Sequence, residues 1–283
     1  MASTPRSSQA GNTLLSVAHA GGQGKTTVAQ LLYLSSKKLG HTYGLYAADF
    51  QDDSAKSKLG KMYPDRVTEF GVGAALTAAR IENNANAALR YWDRIGNLFL
   101  SGNAIVDLGA NVIQSVVDWG VDRHVAELME KRQAPKVDLF CVCKAQKHAF
   151  DDISSLIEDV ASKKPFRFNR IFVVQNEVGG SFEGSQFDTR LKDQFRELDL
   201  VFLTLPACQA EIWPAIERKG ASLEAVLGAD EEELMAMLDV DLWTASSGLA
   251  EVKSWFEFTL KSFKDLDVFG RRDVRSSAAA KAS

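Results

Sequence analysis

Residues 13–28 read TLLSVAHAGGQGKTTV: a short apolar run, a glycine-rich break, then a helical pattern opened by a lysine and two threonines. Few folds accommodate that order. Gly21, Gly22 and Gly24 let backbone N–H groups approach an anion, and a helix starting near Lys25 points its positive end at the same place. The phosphate-cradling consensus G-x-x-x-x-G-K-[ST] is missed by one residue, because His19 stands where the first glycine belongs. After the break, Val28, Leu31, Leu32, Ser35 and Leu39 recur at helical spacing, so the helix packs one face against the rest of the fold.

The rest of the chain repeats the alternation. Apolar runs at 13–18, 43–48, 103–107, 137–143, 170–175 and 200–205 read as six strands, separated by segments of helical periodicity. Runs that are apolar throughout belong to parallel strands covered on both sides. The expected class is α/β, a wound, mostly parallel sheet with helices on both faces. At 283 residues and 46% apolar content the chain suffices for one such domain, expected over 12–268, between a flexible tail at 1–11 and a flexible basic tail at 269–283. Residues 248–266 form the expected closing amphipathic helix, whose Trp and Phe stripe belongs to the core. Cys141 and Cys143 share one face of a strand and lack zinc-ligand spacing; with Cys208 they read as reduced. No segment is apolar enough to span a membrane or to serve as a signal peptide, so a cytoplasmic setting and no membrane partner are expected.

The loop and a second stretch, "NAIVDLGAN" at 103–111, define a candidate site. Lys25 would reach the β- and γ-phosphates of a nucleotide, and the Thr26 hydroxyl would join Mg²⁺. Asp107 closes an apolar strand at the carboxyl rim where such sheets collect ligands, and would hold the metal through water. Gly109 is expected to leave room for a γ-phosphate and to offer it an N–H.

"AGGQGKTT", then "YAADFQDD" at 46–53, then "AIVDLGA" resemble, in order and spacing, the ParA/MinD group of deviant Walker A ATPases, a branch of the SIMIBI P-loop NTPases. The resemblance covers most of the chain. "DRVTEF", "VDLGA" and "NEVGGSFEGSQF" look nearest to the plasmid TraL/StbB-like branch. It implies ATP and Mg²⁺, with Gly21, Gly22, Gln23, Gly24, Lys25, Thr26 and Thr27 around the phosphates, Asn176 against adenine and Pro206 near the base. It also implies Asp49 as a switch carboxylate at the metal. Two departures stand out. The family's signature lysine, before the first loop glycine, is Ala20 here, and the second switch carboxylate is Gln51. A neutral amide can orient water but cannot act as a base, so the catalytic set implied is Lys25, Asp49, Gln51 and Asp52, with Asp52 either a substitute through a shifted turn or a solvated loop residue.

The function implied is an ATP-dependent dimerisation switch that positions or partitions DNA, a plasmid or another large cargo, released when a stimulating partner or cargo adaptor triggers weak hydrolysis. A non-hydrolysing adaptor in conjugation or plasmid maintenance is the alternative. A metabolic enzyme of similar fold is disfavoured, because an iron protein needs cluster thiolates on loops whereas Cys141 and Cys143 sit within a strand, and no ligase motif is present. The net charge of -4 excludes a generally basic nucleic-acid binder. Nonspecific DNA contact would instead fall to Lys163, Lys164, Arg167 and Arg170, or to the tail arginines Arg271, Arg272 and Arg275. The six carboxylates between Gly228 and Asp241 read as a solvated helix face. Lys144, at the end of a central strand, is the candidate to replace the cation missing at Ala20, with Lys147 one helical turn further on.

Overall fold

The computed structural model describes residues 10–49, 56–71, 85–110 and 112–270. Among the described residues seven strands form one sheet: β1 (Thr13–Val17), β2 (Gly44–Asp49), β3 (Val67–Gly71), β4 (Ala104–Leu108), β5 (Val137–Lys144), β6 (Phe168–Asn176) and β7 (Leu200–Leu205). Their spatial order is β3-β2-β4-β1-β5-β6-β7, and every pairing is parallel. This is a wound, all-parallel α/β sheet with helices on both faces.

Residue alternation along the strands builds two cores. Leu14, Ile105, Phe140, Val142, Phe172 and Val174 point to one face, where they meet α1 (Lys25–Lys38), α2 (Lys58–Met62), α8 (Trp213–Lys219), α9 (Leu223–Gly228), α10 (Glu231–Leu238) and α11 (Leu242–Asp265). Leu15, Val106, Leu139, Cys141, Cys143 and Val173 point to the other, under α3 (Ala85–Ser101), α4 (Val112–Asp122), α5 (Val125–Lys131), α6 (Ala149–Lys163) and α7 (Phe187–Gln194). Burial on both sides is why these strands read as continuous apolar runs. Phe140 and Phe172 stack across β5 and β6 with centroids 4.4 Å apart.

Six of the strands lie within two residues of the expected runs. The seventh, β3, is an edge strand whose only buried residue is Phe70, and half-polar sequence such as VTEFG carries no apolar run. Glu69 accepts from the Ser57 backbone N–H at 3.1 Å and hydroxyl at 2.8 Å, so this strand also fixes the cap of α2. The acidic segment forms α10, opened by a capping box between Asp230 and Glu233, and Asp241 caps α11. Trp255, Phe256 and Phe263 of α11 are core residues. The packed chain runs past the expected boundary at 268, because Phe269 is buried and packs against Tyr43 with centroids 5.7 Å apart. Burial pushes the Cys143 thiol up to about 12 and raises Cys141 further, so neither is a thiolate at neutral pH.

Both ends of the described chain meet at the amino-terminal edge of the sheet. Asp138, fully buried in β5, accepts from Asn12 Nδ2 at 2.9 Å, Asn169 Nδ2 at 3.1 Å and the Arg170 backbone N–H at 3.0 Å. The Arg170 guanidinium lies 3.6 Å from the same carboxylate and donates to the Leu266, Asp267 and Val268 carbonyls just past α11.

Candidate functional site

At the opposite, carboxyl edge, β1 and β4 lie side by side, but the chain leaves β1 toward one face through α1 and leaves β4 toward the other through α4. Such a switch point opens a crevice between the two strand ends. The glycine loop bends over it. Gly24 takes φ 105, a left-handed conformation, and a Cβ there would overlap the Asn176 amide, so the position demands glycine twice over. No side chain caps α1 and no acid occupies its first turn, which leaves the helix start suited to an anion.

Lys25 is buried at 9% exposure, and its Nζ lies back across the loop, 3.4 Å from the Ala20 carbonyl. Burial lowers its pKa, with Asp107 and Asp49 pulling the other way. The Thr26 hydroxyl donates to Asp107 Oδ2 at 2.7 Å. The second oxygen, Asp107 Oδ1, is buried without a hydrogen-bond partner. Burial drives this carboxyl up to about 6, against the opposing effects of the Thr26 bond and Lys25. A divalent cation fits this gap, since it would supply the positive charge that the buried oxygen lacks. Among the described residues no three His, Cys, Asp or Glu side chains cluster, so such an ion would take most of its ligands from water and phosphate. Ser16, the one polar side chain inside β1 beyond its first residue, donates to the Lys25 carbonyl at 2.9 Å and seats the first turn of α1. A lone serine in an apolar run was the available signal for it.

The structure therefore gathers Lys25, Thr26, Asp49 and Asp107 at one crevice and sets Lys144 and Asn176 on the loop's other flank, adjacent in the β5–β6 register. One expected role changes, and a second residue has partners the sequence did not announce. The Gly109 N–H donates to the Ala48 carbonyl at 2.7 Å, and a Cβ at Gly109 would overlap the Asp49 carboxylate. That glycine makes room for Asp49, and its N–H is already used, so it holds no amide ready for a γ-phosphate. Asn176 is 4% exposed; its Nδ2 donates to the Gln23 carbonyl at 2.7 Å and its Oδ1 accepts from the Val178 N–H at 3.2 Å. One N–H and one lone pair of the amide remain for a base. Pro206 follows β7, and its carbonyl accepts from Trp255 Nε1 at 2.8 Å. Gln51 and Asp52 lie outside the described residues, as do Arg271, Arg272 and Arg275.

The expected basic patch is largely neutralised. Lys163 pairs with Asp118 at 3.2 Å and Asp159 at 3.6 Å, Arg167 with Glu130 at 3.3 Å, and Arg170 is turned inward to Asp138. A helix face and strand start rich in carboxylates accounts for the cations opposite them. Among the described residues no helix is long and apolar enough to cross a membrane.

No protein-family profile and no curated protein matches the chain. Among solved structures it is similar to a ParA family ATPase from Chlorobium tepidum, at 14% identity over 90% of this chain and 97% of that one, TM-score 0.49. An ATP complex of an alanine variant of McdA from Cyanothece is similar at 14% identity over 88% and 97%, TM-score 0.45. The MinD cell division protein of Aquifex aeolicus is similar at 13% identity over 87% and 97%, TM-score 0.42.

Proposed function

We propose that the chain is a nucleotide-driven switch of the ParA/MinD kind: ATP with Mg²⁺ closes a homodimer, the dimer holds DNA, a plasmid or another large cargo, and weak hydrolysis stimulated by a partner releases it. The observation that carries the reading is the buried, unpartnered Asp107 Oδ1 beside Thr26, at the foot of an uncapped helix that begins with Lys25. Bound Mg²⁺ would supply charge to the phosphates. Lys25 would leave the Ala20 carbonyl for the phosphate oxygens, Thr26 and Asp107 would orient the ion with Asp49 nearby, and Asn176 would present its spare N–H and lone pair to adenine. Lys144 would stand in for the lysine missing at Ala20, since two triphosphates brought face to face repel strongly where water is excluded. The Ala20 and Gln51 substitutions favour, as a second reading, an adaptor that binds nucleotide without hydrolysing it.

Sedimentation with ATP, ADP or no nucleotide, with and without nonspecific duplex DNA, tests the switch. A dimer with ATP alone, lost in Lys25→Ala, is the expected result; a monomer under all three conditions defeats it. Phosphate release measured on the same samples separates the switch from the adaptor.

A further inference from the structure

The residue between Gly22 and Gly24 does something that a phosphate cradle does not require. Backbone amides make such a cradle, and the side chain at this position is free to point anywhere. Gln23 instead turns inward to 8% exposure, and its Oε1 accepts the backbone N–H of Lys144 at 2.8 Å. Its carbonyl simultaneously accepts from Asn176 Nδ2 at 2.7 Å. Since Lys144 and Asn176 are partners in the β5–β6 register, one residue of the loop ties down the last rungs of two neighbouring strands. Val142, two residues before Lys144 on the same face of β5, lies 3.9 Å from the position a Cβ on Gly24 would take. Lys144 is therefore one pleat farther along the strand face that already touches the loop.

We infer that Gln23 is a positioning residue, which fastens the glycine loop to the end of β5 and thereby holds Lys144 at the phosphate side of the site in place of the cation absent at Ala20. The inference rests on the nucleotide-binding reading above. It explains why a neutral amide occupies the position: Gln23 accepts a hydrogen bond as a carboxylate would, without setting a negative charge beside phosphates. It also couples the two halves of the site. A strand-end N–H with no acceptor exchanges with water freely, whereas one held by a buried amide moves only when the loop moves.

Two readouts on the whole 283-residue chain test this. In the ligand-free protein, hydrogen exchange at the Lys144 amide should rise about fivefold in Gln23→Ala, the worth of one neutral hydrogen bond, and return toward the wild-type rate in Gln23→Glu, which keeps an acceptor. With a fluorescent ATP analogue and Mg²⁺, Gln23→Ala and Lys144→Ala should each weaken binding. The double variant should bind no worse than Lys144→Ala, because a tether has nothing left to deliver once the lysine is gone. Unchanged exchange at Lys144, or losses that simply add in the double variant, would overturn the assignment. A wild-type protein that binds no ATP analogue would overturn the nucleotide reading and with it the task given to Gln23. The exchange comparison would then show whether the tether itself had failed as well.

Discussion

At the scale of single residues, Asp107 holds the most strained charge in the site. Its carboxyl titrates at about 6 against 3.8 in an exposed chain, burial being the main cause. The folded protein therefore binds more protons than the unfolded chain between those values, and stability falls as pH rises through that window. The charged form costs roughly 3 kcal/mol above it. Asp107→Asn should accordingly raise the ligand-free denaturation midpoint at pH 7.5 and flatten its pH dependence between pH 4 and 6, while removing Mg²⁺-dependent nucleotide binding. Urea titrations across that range, with and without MgATP, check both halves; a destabilised Asn variant at pH 7.5 would contradict the first. The meeting of Lys25, Thr26 and Asp107 at one crevice was legible in the sequence, because spacing from a glycine loop and the end of an apolar strand fixes them. The true occupations of Gly109 and Asn176 were not. Their roles depend on which backbone groups stand opposite, and strand register sets that.

At the scale of elements, six strands announced themselves by apolar runs, the edge strand β7 among them, whereas β3 did not, since VTEFG alternates polar and apolar residues. The basic stretch at 163–170 misled for a related reason: linear charge says nothing of the carboxylates that α4, α5 and β5 place opposite it. Arg170 shows the consequence. It joins β6 to Asp138 of β5 and to the end of α11, so it reads as a surface cation but acts inside. Replacing it leaves a fully buried carboxylate with its three hydrogen bonds but without its cation, and removing one partner of a buried ion pair costs up to about 3–5 kcal/mol. Arg170→Met should therefore lower the denaturant midpoint substantially, and Asp138→Asn in the same chain should recover part of the loss. Equal midpoints for Arg170→Met and wild type would show that the guanidinium adds nothing to the hydrogen bonds that already hold Asp138.

At the scale of the molecule, if the proposed switch holds DNA, with Lys163, Arg167 and Arg170 paired, the net +3 of residues 271–283 would be the stronger source of its affinity: four cations, Arg271, Arg272, Arg275 and Lys281, less Asp273. Deleting 271–283 should reduce the slope of log affinity against log salt on nonspecific duplex by about 3, whereas Lys163→Glu with Arg167→Glu should leave it nearly unchanged. A slope that follows the double reversal instead would return the footprint to α6. The glycine loop sits on one rim of the sheet, and residues 12 and 266–268 converge on the other. A fluorescent protein or an immobilisation tag joined to the chain at residue 12 or after residue 268 leaves it from the rim away from the loop. Single-particle imaging or surface capture can then watch the rim with its face unobstructed.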